Sequence, residues 1–90
     1  MPLSGSDQQH VQDIIDSATP AQRADLKADA ERTLSEVNSL MRAKVLSNQE
    51  SRAAEAAIEF LVRLEAIEQR KGWLFRAKRR VQLCQMYLGI

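Results

Sequence analysis

Two short phrases partition this sequence and leave little choice of secondary structure between them. In Thr19-Pro20-Ala21-Gln22, a hydroxyl, a proline and an amide stand at the N-cap, first and third positions of a helix start. In Ser47-Asn48-Gln49-Glu50 the same logic recurs as a Ser/Glu capping box. Between and after them lie two amphipathic segments, 20–45 and 48–71. At about 1.5 Å per residue these are nearly equal in length, roughly 39 and 36 Å. Leu26, Ala30, Thr33, Leu34, Val37, Leu40, Met41 and Val45 share one arc of the first. Ala53, Ala57, Phe60, Leu61, Leu64 and Ile67 share one arc of the second. The polar side of the first segment offers Lys27–Glu31 and Arg32–Glu36 at pairing distance.

The reading is all-α: an antiparallel helical hairpin of about 20–45 and 48–71. One very long helix through Ser47 is the alternative, and the need of both arcs for a facing surface favours the hairpin. Twelve alanines, three glycines and two prolines suit helix throughout. A short N-terminal helix is expected from about Asp7 to Ser17, with Val11, Ile14, Ile15 and Ala18 at helical spacing. Residues 1–6 read as a disordered N-terminal end, and 7–90 as a single small helical domain. Neither a repeat nor a sustained heptad series is present.

Gly72 follows the cations Arg70 and Lys71, as a glycine does at a helix stop. Beyond it, Trp73, Leu74, Ala77, Val81, Cys84 and Leu88 form a stripe about 100° wide. That stripe is rotated by roughly 140° from the one centred on Leu64, more than coiled-coil drift supplies. A C-terminal helix, 73–88, therefore either packs back on the hairpin or extends its second helix. If it folds back, the stripe is expected to face the hairpin.

Charge divides at the same place. Residues 1–69 hold seven Lys/Arg and all twelve Asp/Glu, a net −5, while 70–90 hold six Lys/Arg and no acid. That division points to polyanions or to head-to-tail pairing of two copies. Arg70, Lys71, Arg76, Lys78, Arg79 and Arg80 are the possible polyanion contacts. Phe75 and Met86 project away from the stripe, and Leu83 and Tyr87 fall among the arginines. With Trp73, these make the expected partner or oligomer interface.

Little in the sequence suggests chemistry. His10 is the one histidine, and a metal site needs several converging ligands. Cys84 sits within the apolar stripe and reads as a small buried hydrophobe. Carboxylates such as Glu55 and Glu59 recur at helix-surface spacing without a histidine beside them. No glycine-rich loop is available to hold phosphate. The expectation is a non-enzymatic protein with neither cofactor nor metal and no small-molecule substrate. A single cysteine and the lack of a signal-like start or membrane span point to the cytoplasm.

Three functions compete on this reading. First is a protein–protein interaction protein of adaptor, assembly-factor, chaperone or inhibitor type, self-associating as a homodimer or larger through the C-terminal helix. Second is a nucleic-acid-binding module using the basic stretch 70–80. A membrane-surface helix ranks last, since the stripe with Ala77 and Cys84 is narrow.

Overall fold

Both capping boxes form. In a computed structural model of the chain, which describes residues 3–89, Thr19 Oγ1 accepts from the Gln22 backbone N–H at 3.1 Å. The Gln22 side chain accepts in return from the Thr19 N–H at 2.9 Å. Ser47 and Glu50 make the same reciprocal pair at 3.2 and 3.0 Å. Four helices result: α1 (Gly5–Ser17), α2 (Pro20–Arg42), α3 (Asn48–Gln69) and α4 (Trp73–Leu88). No strand occurs among the described residues. The all-α expectation holds. No helix is long and apolar enough to cross a membrane among the described residues.

The first helix begins earlier than its apolar pattern. Ser4 caps it, its hydroxyl accepting from the Asp7 N–H at 3.1 Å. Leu3 packs against Val11, Ile15 and Leu64. Leu3 to Ser6 thus belong to the folded unit rather than to a loose end, because Ser4 is itself a cap residue. Met1 and Pro2 lie outside the described residues.

The exits of α2 and α3 share one geometry. Lys44 (φ 58) and Arg70 (φ 54) both take the left-handed conformation. After them, Val45 N–H donates to Leu40 O at 3.1 Å and Lys71 N–H to Ala66 O at 2.8 Å. These six-to-one bonds satisfy carbonyls at the helix end, the job usually done by a left-handed glycine. So α3 stops at Arg70, two residues before the glycine that the sequence offers. Gly72 instead is the extended residue that precedes α4, with no side chain to cap it. The chain therefore breaks at 70–72 rather than continuing as one helix. Val45 falls beyond α2 and is exposed.

The third helix is the centre of the fold. It touches each of the other three, and α2 also touches α4. Lys27 near the start of α2 pairs with Glu68 near the end of α3 at 3.2 Å, so these two run in opposite directions. One core joins Ala30, Leu34 and Val37 of α2 to Ala54, Ala57, Ile58, Leu61 and Val62 of α3 and Leu83 of α4. A second joins Val11 and Ile15 of α1 to Leu64. The buried side of α3 therefore sweeps roughly 220° of its circumference, about twice a one-sided amphipathic stripe. The arc expected for it is displaced: Ala53 and Ile67 are exposed, whereas Ala54, Ile58, Val62 and Ala66 are buried. The two expected pairs on α2 do not form. Lys27 bonds Glu68, and Arg32 bonds Asp29 one turn away.

Candidate interaction face

The fourth helix packs back on α3, but turned from the expected side, so that part of the stripe faces in and part faces out. Leu83 is 2 % exposed within the main core, and Tyr87, Cys84 and Leu88 pack partly against it. The stripe is split: Cys84 and Leu88 reach the core, whereas Trp73 is 71 % exposed, Leu74 53 % and Val81 56 %. Ion pairs explain the choice. Glu59 is 2 % exposed, buried in the middle of α3 between Ile58 and Phe60. Arg80 meets it with two bonds, Nε at 2.8 Å and Nη2 at 2.9 Å. Arg63, one turn along α3, donates a third at 2.7 Å. Arg63 is itself held by the Gln12 side chain of α1 at 2.7 Å. Beside this cluster Arg79 Nε donates to Glu65 at 2.9 Å. Turning Trp73, Leu74 and Val81 inward would carry Arg79 and Arg80 away from both acids. A buried carboxylate stripped of its cations costs several kcal/mol.

The electrostatics follow from the same contacts. Burial pushes the Glu59 carboxyl up, but the bonds and charges of Arg80 and Arg63 outweigh it, and the net direction is down. Arg80 is pushed up, chiefly by its hydrogen bonds to Glu59, against the cost of burial. Burial also raises the Cys84 thiol, helped by the Glu55 charge and opposed by Arg80. The Arg80 guanidinium therefore does not activate the thiol, since burial outweighs its charge.

The expected interface residues do not share one face. Leu83 is withdrawn into the chain's own core, and Phe75 and Tyr87 are half-buried. Trp73 and Met86 are exposed but stand roughly 140° apart around α4. What the structure brings together instead is Trp73, Leu74 and Val81, with half-buried Ala77 between them. Hydropathy alone assigns these three to the hairpin along with Cys84 and Leu88, and the ion pairs turn the helix so that only the latter two reach the core. The basic stretch is likewise divided. Arg79 and Arg80 are engaged by Glu65 and Glu59. Arg70, Lys71, Arg76 and Lys78 make no ion pair among the described residues, and all but half-buried Arg76 are exposed. Groups of three or more His, Cys, Asp or Glu placed to hold a metal are absent among the described residues.

No protein-family model, curated protein or solved structure matches the chain.

Proposed function

We propose that this is a non-catalytic interaction protein that self-associates through the outer side of α4. The observation that carries the reading is the exposure of Trp73, Leu74 and Val81 on a helix whose other side is already seated. Three large apolar side chains in one row, the most exposed of them a tryptophan, are the composition of a docking anchor rather than of a solvated surface. Supporting it, α4 is already helical and tied to α3 by the Glu59 and Glu65 pairs, so docking there need not order new backbone. A small unit of this size also gains stability by covering apolar surface against a second copy.

A nucleic-acid reading has one observation in its favour, the exposed cations Arg70, Lys71 and Lys78 flanking Trp73. It loses Arg79 and Arg80, whose guanidiniums are bonded within the chain. Light-scattering mass measured during gel filtration, with and without duplex DNA at physiological salt, separates the two. Self-association predicts a mass above 10.2 kDa that rises with concentration and ignores DNA. A monomer at every concentration that shifts onto DNA would overturn the proposal in favour of the second reading.

A further inference from the structure

The exposed row on α4 has a counterpart elsewhere on the chain. Between α1 and α2 lies an open groove of about 540 Å³ lined by the apolar Ile14, Ala18 and Leu26 and by the acids Asp25 and Asp29. Ile14 is 36 % exposed there, beside Val11 and Ile15, which are the buried residues of α1. We infer that the second copy docks head to tail, the α4 row of one chain entering the α1/α2 groove of the next. This rests on the reading of α4 as the docking element and adds what receives it.

Charge selects the groove. Asp25 makes no ion pair among the described residues, and Asp29 has only the exposed Arg32 on its own helix. The neighbouring helix α1 carries Asp7, Asp13 and Asp16 and no lysine or arginine. Against this acidic rim the α4 row brings Lys78 on its flank, with Arg70 and Lys71 just before it, all three exposed. Of the other depressions, the one lined by Ala30, Ala53, Ala57 and Phe60 is half the size, about 270 Å³, and holds a single acid, Asp29. The one beside Leu3 contains Arg52, and the one beside Pro20 contains Arg23. Dimensions agree as well. Trp73 to Val81 covers roughly 12 Å of helix, and the α2 wall from Gln22 to Asp29 covers roughly 10 Å.

Charge also disfavours the symmetrical arrangement. Docking α4 on α4 would gather Arg70, Lys71 and Lys78 of both copies at one interface with no acid from residues 70–90 to offset them, and like charges across an interface are unfavourable. Row and groove share no residue, so one chain can use both at once. A contact of that kind does not close on two copies. It continues into a ring or an open chain.

Two variants test this, each altered on exposed helical positions only. The row variant combines Trp73→Gln, Leu74→Gln and Val81→Gln. The groove variant combines Asp25→Lys and Asp29→Lys. Circular dichroism checks that both keep their helix. By light scattering each alone is expected to be monomeric, because each lacks one half of the contact. Mixed in equal amounts they are expected to double in mass to a one-to-one pair and grow no further. A groove variant that associates as the parent does, while the row variant stays monomeric, overturns the head-to-tail arrangement and leaves α4 as the docking element. A mixture that remains monomeric overturns it too. A row variant that associates as the parent does removes α4 docking itself, and the inference with it.

Discussion

Glu59 holds two guanidiniums with a side chain that water barely reaches. Breaking such a cluster from one side leaves Arg63 and Arg80 facing each other without their anion. Glu59→Ala is therefore expected to cost about 3–5 kcal/mol in urea unfolding at pH 7. The pH dependence has a definite sign. The folded carboxyl titrates below its ordinary value of 4.5, so it stabilises the fold fully above that value. That contribution is lost as pH falls below 4.5 and through the lower folded value. Unfolding curves between about pH 7 and about pH 3 are expected to show this loss in the parent and a shallower slope in Glu59→Gln. The two left-handed exits give a second expectation. Lys44 and Arg70 occupy a conformation that costs a residue with a Cβ about 1 kcal/mol or more. Lys44→Gly and Arg70→Gly are each expected to raise stability by about 0.5–1 kcal/mol, visible as a higher denaturant midpoint. These positions were not legible in the sequence. A glycine stood at Gly72, and nothing local says that the turn falls two residues sooner.

Among the elements, the hairpin was legible and the placement of α4 was not. Thr19, Gln22, Ser47 and Glu50 state where α2 and α3 begin, because capping is a local exchange between a side chain and the three backbone positions after it. Which side of α4 turns inward depends on Glu59 and Glu65, 21 and 14 residues upstream of their arginines. A helical wheel scores Arg79 and Arg80 as outward and Trp73 as inward, since it weighs hydropathy and knows no partner. The clue available was Glu59, a lone acid inside the run Ile58 to Val62, in a chain whose tail holds only cations. The observed orientation is testable by truncation on each side. Leu83→Ala is expected to cost about 2–4 kcal/mol, as a filled core position does. Val81→Ala is expected to stay within about 0.5 kcal/mol, as an exposed position does. Equal effects in thermal unfolding would mean that α4 sits differently.

For the molecule as a whole, the division into an acidic body and a basic tail acquires a different meaning. Part of it is settled inside one chain, where Arg79 and Arg80 meet Glu65 and Glu59. The remainder, Arg70, Lys71 and Lys78 against Asp25 and Asp29, is left for a second chain under the head-to-tail arrangement. These two sets respond differently to salt. Raising ionic strength from about 0.1 to about 1 M shortens the screening length from about 10 to about 3 Å, which weakens exposed charge pairs far more than buried ones. Sedimentation velocity across that range is expected to show association falling while the helical signal and melting temperature change little. Melting that falls in step with association would mean that the single chain is not stable without its neighbour.

The central position of α3 also orders events in time. Val11 and Ile15 find their partner at Leu64, and Gln12 finds Arg63 51 residues later in the chain. Synthesis proceeds from the N-terminus at about 5–20 residues per second. For several seconds, then, α1 has its apolar side open and nothing yet made to cover it. The α2–α3 pair, joined by a short turn, is able to begin zipping from that turn while α3 is still being made. The first helix to be made is thus bound to wait for the third, and that interval is when a nascent chain of this design is most exposed to misassociation.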